Sequence, residues 1–331
     1  MKQLRIIFGV LFFFLILFFP LSAILGNDTA FVSEIIQPDN QISKSASFFD
    51  LDINSVKQQE LEILLTNKTN KQLVLEGAVT NAWTTINGVI DYSSTEYPLD
   101  STLKNPLSSL LVLNSKEIVI PPMEQIRVTA TLNIPDNIHE GVVLGGIQFC
   151  EKGDSFNNPN ESSVYNKYAV VKGVKLTKGE IPNPNIEISN AKVSQLRKIP
   201  AITVNIKNTE ATMIGEMSFK TEVRKENSQE ILQSDETKPV QMAPNSNVDL
   251  PIYWKDTTIQ PGKYTVHATV EIAGKTWDNN LNFTVDDKTS KKIANAEKPV
   301  DNVLTICVVI IVVLILLSSI LAYLLIRKNK K

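Results

Sequence analysis

Few side chains in this chain of 331 residues could carry out catalysis. Only two histidines occur, His139 and His267. His267 occupies a polar position in an alternating stretch, which predicts a solvated surface histidine on a strand. His139 lies in a loop beside Glu140 and close to Asp136, but one histidine with no cysteine nearby makes a poor zinc site. We therefore predict no metal site.

The acidic pairs also lack the neighbours that catalysis requires. Asp50 and Asp52 flank Leu51 in a strand-like run, where both carboxylates are expected to share one solvated face. Asp286 and Asp287 are adjacent in the sequence. No nucleophile–base constellation, phosphate-binding loop, dinucleotide fingerprint or zinc-protease motif accompanies either pair. We predict a protein that is not an enzyme, with no catalytic residues and no cofactor.

Binding is the chemistry that is left. Trp83, Trp254 and Trp277 are the large side chains that could anchor a ligand. A tryptophan in a β-sandwich more often packs in the core, so both roles stay open for each of them. Exposed edge strands could also bind extended peptides or glycans.

The average composition, 43% hydrophobic with a net charge of −2, hides three different segments. Six of the 33 basic residues lie at the two ends. Residues 27–302 therefore hold 27 basic residues against all 35 acidic ones, a net charge of −8. This charge argues against nucleic-acid binding, for which a basic face is normal. The two apolar ends exclude a simple cytosolic protein, and the lack of a third long apolar run excludes a polytopic transporter.

The N-terminus predicts a secretory signal peptide over residues 1–26. Lys2 and Arg5 precede a long apolar stretch, which Pro20 interrupts. Small residues follow up to Gly26, as they do before a cleavage site. An uncleaved anchor is the alternative, because the apolar stretch is long for a signal peptide.

An apolar run of 24 residues, 303–326, predicts a transmembrane helix. Such a helix is about 36 Å long, enough to cross a hydrocarbon core of about 30 Å with some tilt. The basic tail 327–331 follows at once, which places the C-terminus in the cytoplasm and residues 27–302 outside the cell. Both ends thus predict a single-pass type I membrane protein. A lipid-anchor signal would instead be hydrophobic to its end.

Cysteine usage suits the surface of a Gram-positive bacterium. Cys307 lies within the predicted span, which leaves Cys150 as the one cysteine of the exterior segment. No internal disulfide can form there, whereas extracellular animal domains of this size usually carry some.

Between the two ends, hydrophobic residues recur with a period of two, which is the pattern of strands with one buried face. Examples are the runs 126–134, 202–206, 217–223, 266–272 and 281–285. Asn87-Gly88 predicts a hairpin, and Leu107–Leu113 after Pro106 predicts a short helix. We predict an all-β fold of two immunoglobulin-like β-sandwich domains in tandem, followed by the transmembrane helix.

A polar, turn-rich stretch at 153–163 marks the predicted boundary between the two domains. The predicted domains are 30–150 and 164–286. Residues 287–302 are polar and charged, and they predict a juxtamembrane stalk.

Short motifs along the chain resemble those of the WxL-interacting proteins of Gram-positive bacteria. In the first domain they are PDNQ at 38–41, SFFDL at 47–51, AVTNA at 78–82, NGVIDY at 87–92 and EGVVLGGI at 140–147. In the second they are MAPNS at 242–246, PGKY at 261–264, and Trp277 followed by Phe283. The family often has Pro-Gly soon after its Phe-Asp-Leu motif, where this chain reads DINSVK at 52–57. We interpret that departure as drift in a turn.

The resemblance implies a non-enzymatic cell-surface adaptor. Its first domain would bind peptidoglycan, and its second would bind a WxL-domain surface protein or a host extracellular-matrix protein. A single membrane span would hold it at the cell membrane, and no nucleic acid is expected as a partner. A stand-alone adhesin for a host protein is the alternative, and a cell-wall hydrolase is less favoured.

Seven residues of these motifs are candidates for ligand contact. They are Asn40, Gln41, Asn81, Asn87, Gly145, Gly146 and Trp277. The side-chain amides could bind sugar hydroxyls or acetamides, or they could cap turns. The paired glycines indicate a bulge or a close approach of backbone, which is more often neighbouring backbone than a ligand.

Overall fold

The computed structural model describes residues 29–152, 169–256 and 258–294, with five single positions between 308 and 314. Within these residues the fold is all-β, with strands β1 to β18 and two short helices, α1 and α2. The predicted signal peptide 1–26, the boundary stretch 153–163 and the tail 327–331 lie outside the described residues, as does nearly all of 303–326. No described helix is both long and apolar enough to cross a bilayer.

The described residues form two compact units. Unit 1 contains 29–81, 106–138, 145–152 and 169–176. Unit 2 contains 82–105, 139–144, 177–256 and 258–294. This grouping of residues differs from the domain bounds 30–150 and 164–286 expected from the sequence, which stay a prediction. Two segments of the expected domain 30–150 belong to unit 2, and the first strand of the expected domain 164–286 belongs to unit 1.

Unit 1 is built from two sheets. Sheet A has the order β1-β3-β9-β7, with β1 at Phe31–Ile36, β3 at Gln58–Asn67, β7 at Leu111–Leu113 and β9 at Gln125–Asn133. Sheet B has the order β2-β11-β10-β4-β8, with β2 at Phe49–Asp52, β4 at Leu73–Asn81, β8 at Glu117–Ile120, β10 at Gly141–Glu151 and β11 at Ala169–Lys178. A Cβ at Gly77 of β4 would lie 2.3 Å from Leu113 Cδ2 of β7, so the two sheets are in close contact.

The predicted alternation decides which side chains of unit 1 form its core. On β9, Val128, Ala130 and Leu132 are buried, while Thr129 and Thr131 between them are half-exposed. The predicted helix at 107–113 is only partly correct. Helix α1 spans Leu107–Leu110 and ends there, because the next three residues extend to pair with β9.

Unit 2 also contains two antiparallel sheets. Sheet C has the order β12-β13-β16, with β12 at Ile186–Leu196, β13 at Ile199–Asn208 and β16 at Ser246–Tyr253. Sheet D has the order β15-β14-β17-β18, with β14 at Ile214–Lys225, β15 at Ile231–Met242, β17 at Gly262–Ile272 and β18 at Lys275–Val285. One hydrophobic cluster joins them, with Val204 from sheet C, and Phe219 and Val266 from sheet D. Tyr264 is the largest fully buried side chain, and its hydroxyl donates to Gln260 O at 2.7 Å.

The hairpin predicted at Asn87-Gly88 is present, and it belongs to unit 2. Strands β5 (Trp83–Thr84) and β6 (Ile90–Asp91) form it, and Gly88 has φ +68°. Its loop, residues 85–89, is longer than a two-residue turn, and within it Gly88 N donates to Thr85 O. Gly88 O accepts a bond from Gln241 N at 2.7 Å, and a Cβ on Gly88 would lie 2.8 Å from Val240 Cγ1. Only glycine meets both the backbone and the space requirement.

The expected stalk begins as a helix. Helix α2 spans Asp287–Ala294, and its Ser290 and Ile293 are buried against unit 2. Asp286 begins it, since its Oδ1 accepts a bond from Thr289 N at 2.6 Å. The second half of the expected stalk, residues 295–302, lies outside the described residues.

Candidate functional site

A loop of unit 1 between β1 and β2 is held together by hydrogen bonds from its own side chains. We call residues 37–48 the amide-braced loop. The Gln37 amide donates to Lys44 O at 2.9 Å and to Ala46 O at 3.1 Å. Lys44 Nζ lies within 3.5 Å of Pro38 O and Asp39 O on the other arm. Side chains thus hold both arms of the loop together.

Two predicted contact residues, Asn40 and Gln41, belong to this brace. Asn40 and Gln59 exchange two amide hydrogen bonds, at 3.0 and 2.8 Å, and Asn40 Nδ2 also donates to Asp52 O. Gln41 is buried, donates to two loop carbonyls including Phe48 O, and accepts from Asp50 N. These amides are occupied within the protein, so they shape the loop instead of offering free groups to a ligand.

The amide-braced loop presents two apolar side chains to solvent. Ile42 is 52% exposed and Phe48 is 39% exposed, although each is next to a buried residue in the chain. We call this pair the apolar tip. A braced backbone lowers the entropy that a loop loses on binding, and an exposed aromatic ring offers a large contact area. The apolar tip therefore has the properties of a binding element.

Asn81 and Gly145 lie opposite each other across β4 and β10. The Asn81 amide exchanges hydrogen bonds with Ser108, at 3.0 Å to its backbone N and 2.9 Å to its hydroxyl, and so holds the start of α1. A Cβ on Gly145 would lie 2.2 Å from Thr80 O. Gly146 O accepts the Thr80 hydroxyl at 3.3 Å. Neighbouring protein occupies the space beside these glycines.

The other two predicted candidates are in unit 2, on separate elements. Asn87 is exposed at the β5–β6 hairpin. Trp277 of β18 is half-buried and packs against the core of unit 2, with Lys275 Nζ 4.5 Å from the centre of its ring. The structure thus groups Asn40 with Gln41 and Asn81 with Gly145, and it places Asn87 and Trp277 apart.

A second surface, the outer side of sheet D, is polar. We call it the polar face and define it by side chains that point away from the core. They are Ser218, Lys220, Glu222, Thr265, His267, Thr269, Asn280 and Asn282. The Thr265 hydroxyl donates to Asn282 Oδ1 at 2.8 Å, and His267 Nδ1 lies 3.1 Å from Asn280 Oδ1. His267 is therefore on the polar side of its strand, as its sequence position predicts.

One end of the polar face forms an open pocket of 560 Å³ lined by both signs of charge. Lys220 Nζ lies 3.4 Å from Glu271 and 3.8 Å from Glu236, and Lys238 Nζ lies 3.1 Å from Glu236. Hydrogen bonds from Lys238 and Ser218 lower the pKa of Glu236. Sequence reasoning missed this group, although the alternation of Lys220 with apolar neighbours already indicated an exposed position.

The remaining titratable candidates have structural contacts. His139 Nδ1 lies 3.0 Å from Asn105 Oδ1, and the described residues contain no group of three side chains suited to a metal ion. The expectation of two solvated carboxylates beside Leu51 is wrong for Asp50. That residue is buried, and its Oδ1 lies 3.0 Å from Lys175 Nζ, because β11 is the neighbour of β2 in sheet B and brings Lys175 beside Asp50.

Comparison with known protein families decides what the chain belongs to. Residues 31–151 match the peptidoglycan binding domain of the WxL Interacting Protein. Residues 159–295 match the host binding domain of the same protein. The chain belongs to the WxL-interacting protein family. It is a cell-surface binding protein built from two domains of binding families, as its sequence motifs predict.

Similar solved structures include bacterial fimbrial chaperones. The CsuC–CsuE chaperone–tip adhesion subunit complex of Acinetobacter baumannii has 10% identity and a TM-score of 0.34, covering 76% of this chain and 97% of that chain. The class 5 fimbriae chaperone CfaA has 13% identity and a TM-score of 0.30, covering 72% and 96%. The E. coli chaperone DraB has 10% identity and a TM-score of 0.29, covering 71% and 95%. No curated protein matches the chain.

Proposed function

We propose that this WxL-interacting protein is a non-enzymatic adaptor on the surface of a Gram-positive cell. Its signal peptide is removed, and the span 303–326 holds it in the cell membrane as a single-pass type I protein with residues 27–302 outside. Two immunoglobulin-like sandwiches bind peptidoglycan and a WxL-domain protein, and the second also contacts a host matrix protein. The paired family matches at 31–151 and 159–295 are the observation that carries this proposal.

The apolar tip is the element of unit 1 that we assign to peptidoglycan. Phe48 offers a ring face to the C–H side of a sugar, and Ile42 adds apolar area beside it. Lys44 and Asp39 lie on the same loop and can meet the charged groups of the peptide stems. Because Asn40 and Gln41 brace the loop, little flexibility has to be lost when it binds.

Retention on purified cell-wall sacculi tests this assignment. The double variant Ile42→Ser, Phe48→Ala of the full chain in mild detergent should bind about fivefold more weakly or worse, since buried aromatic anchors dominate most interfaces. Val112→Ala is the matched control, because Val112 of sheet A is 56% exposed and lies outside the loop. Equal retention of the double variant and the unaltered chain would exclude the apolar tip.

The polar face of sheet D is the surface that we assign to the protein partner. Its ladder of Thr265, His267 and their hydrogen-bonded partners on β18 is preorganised and extends along two strands, which suits a protein surface better than a small molecule. The charged pocket at its end offers Lys220 and Glu271 for electrostatic selection of a partner.

Co-purification of a WxL-domain protein with the full chain from membrane extracts tests the adaptor role. We expect the pair Asn280→Ala, Asn282→Ala to reduce recovery, and the pair Glu187→Ala, Ser189→Ala on the outer side of sheet C to leave it unchanged. Consistent absence of any WxL-domain protein would contradict the role. If host binding persists after deletion of the WxL gene, the chain acts as a stand-alone adhesin.

Turbidity of a peptidoglycan suspension tests the non-enzymatic part. The purified chain should leave the turbidity constant, because no nucleophile–base pair was found among its motifs. Clearing of the suspension would identify a hydrolase instead.

A further inference from the structure

Unit 2 carries a cluster of exposed basic side chains at the end where α2 leads toward the C-terminal apolar run. We call it the basic platform. It consists of Arg197 and Lys198 in the turn between β12 and β13, and of Lys288, Lys291 and Lys292 on α2. All five are exposed. Neither family match assigns a role to them.

Contacts through Gln195 bring the two parts of the platform together. Its Nε2 lies 3.5 Å from Lys198 O in the turn and 3.5 Å from Ile293 O in the last turn of α2. The hydroxyls of Thr258 and Ser290 lie 3.2 Å apart and attach the middle of the helix to unit 2. The turn and the helix are therefore neighbours on one surface.

The orientation of α2 directs its lysines outward. Ser290 and Ile293 are 8% and 5% exposed, so they mark the face that packs on unit 2. At about 100° per residue, the three lysines of the helix fall on the opposite side. Asp286 and Asp287 lie at the other end of the helix, where the Asp286 carboxylate already accepts the Thr289 N–H. Lys288 lies next to these acids and interacts with the Asp286 carboxylate, whereas Lys291 and Lys292 are in the last turn of α2.

The backbone of the turn between β12 and β13 is strained at both of its basic residues. Leu196 pairs with Ile199, so the turn has only two central residues, Arg197 with φ +50° and Lys198 with φ +67°. This conformation strongly prefers Asn-Gly, since other L residues are strained with positive φ. Residues in strained conformations cluster at functional sites, which supports a role for these two basic side chains at the tip of the hairpin.

We propose that the basic platform binds the anionic phospholipid headgroups of the membrane from which the chain extends. This inference rests on the proposed membrane anchor. Only residues 295–302 separate α2 from the apolar run, which limits the C-terminal end of α2 to about 30 Å from the start of the span. Basic clusters near a membrane bind anionic lipid by charge, and Ile199, 44% exposed beside the turn, can enter the interface. Binding would hold unit 2 close to the bilayer.

Hydrogen exchange of the full chain in lipid nanodiscs tests the proposal. Amides of 195–199 and 287–294 should exchange about threefold more slowly in discs that contain phosphatidylglycerol than in phosphatidylcholine discs, since the attraction depends on lipid charge. The difference should disappear in about 0.5 M salt, where charges are screened over a few ångströms. Equal exchange in the two lipids at low salt would overturn the proposal.

Two variants separate the charges from the stability of the turn. Arg197→Asn with Lys198→Gly should relax the turn and keep the fold while abolishing the lipid-dependent protection. Lys238→Gln with Lys275→Gln, which removes two exposed charges of sheet D, should leave the protection unchanged. If polyphosphate added to phosphatidylcholine discs protects the same amides as strongly, the surface is a polyanion site and not a lipid site.

The same experiment distinguishes the platform from the anchor. Co-elution of the chain with phosphatidylcholine discs reports the membrane span, whereas the difference between the two lipids reports the platform. If the chain co-elutes with both discs but shows no lipid-dependent protection, the membrane anchor is supported and lipid binding by the basic platform is contradicted. A chain that co-elutes with neither disc contradicts the anchor, and the platform with it.

Discussion

Two buried asparagines occupy equivalent places in the two units, and the difference between them shows how each unit is closed. Asn67 is the last residue of β3 and Asn208 is the last residue of β13, and both are fully buried. Each donates from its amide to the carbonyl four residues later, Lys71 O and Thr212 O, at 2.7 Å. Each also reaches the carbonyls of a distant proline-containing loop.

The corner around Asn67 closes with residues of its own unit. Its amide donates to Ile120 O and Pro121 O, and its Oδ1 accepts both the N–H and the hydroxyl of Thr69. All bonding positions of this amide are used. The corner therefore does not depend on the segments that unit 2 takes from the first predicted domain.

The corner around Asn208 is completed by the segment 82–105. Asn208 donates to Ala243 O, and Ala243 N donates in turn to Thr84 Oγ1, 159 residues earlier in the sequence. Thr84 Oγ1 also lies 2.8 Å from Ser246 Oγ. A segment that matches the peptidoglycan-binding family is thus bonded, within unit 2, to residues that match the host-binding family, so the family boundary and the division into compact units differ.

The largest expected effect is that of Asn67→Ala. It would leave several buried carbonyls and the Thr69 N–H without partners, so we expect unit 1 to lose about 4 kcal/mol of unfolding free energy. All three tryptophans lie in unit 2, so tryptophan fluorescence should barely change, while hydrogen exchange in β3 and β9 should accelerate. The exposed Asn133→Ala is the control. If the stability measured by tryptophan fluorescence fell as much as the stability measured by hydrogen exchange in β3 and β9, the two units would unfold as one.

Asn208→Ala should have a somewhat smaller effect on unit 2. Asn208 donates to two carbonyls and accepts the Glu210 N–H at a longer 3.3 Å, so we expect a loss of about 3 kcal/mol. The denaturant midpoint followed by tryptophan fluorescence measures it, with Asn280→Ala on the polar face as the control. A midpoint within error of the control would contradict the equivalence of the two corners.

Thr84→Val tests whether the segment 82–105 stabilises unit 2. The substitution keeps the side-chain volume and removes the hydroxyl that contacts Ser246 Oγ and accepts Ala243 N–H, which should cost about 2 kcal/mol. Tryptophan fluorescence should report the loss, whereas Thr237→Val at an exposed site of β15 should not. If amide exchange of β3 and β9 changed and tryptophan fluorescence did not, the segment would stabilise unit 1 and the prediction would be contradicted.

Asp100 should make the same segment sensitive to acid. Burial alone would raise the pKa of Asp100, but hydrogen bonds from Thr102, Asn247 and Lys207 outweigh it and lower the pKa to about 2. The ionised carboxylate accepts Lys207 Nζ at 3.1 Å and Asn247 Nδ2 at 2.6 Å. Its contribution to stability is therefore complete above the ordinary pKa near 4 and is lost as the pH falls toward 2.

We expect this contribution to be about 1 kcal/mol, the smallest of the four effects. Asp100→Asn should remove it at neutral pH and flatten the acid dependence of the tryptophan-monitored midpoint between about pH 4 and pH 2. Asp278→Asn, at an exposed position of β18, is the control. An unchanged acid dependence in Asp100→Asn would rule out this carboxylate as its origin.

Strand positions and the glycine of the hairpin could be predicted because they depend on local properties. Alternation on β9 identified the buried side chains Val128, Ala130 and Leu132, and Gly88 has the positive φ that its turn requires. The burial of Asp50 could not be predicted, because its partner Lys175 lies 125 residues later in the sequence. The role of Asn40 was equally hidden, since its amide is occupied by Gln59 on β3.

The amino-acid sequence by itself determined the all-β class, the family and the binding character of this protein. A side-chain period of two and the order of short motifs are properties of the chain, and they hold whatever the strands pair with. Only the tertiary structure decided that 82–105 belongs to unit 2, that the candidate amides brace loops, and that basic residues of a turn and a helix share one surface. These outcomes depend on which distant segments bury each other's polar groups, and hydrophobic periodicity carries no information about that choice.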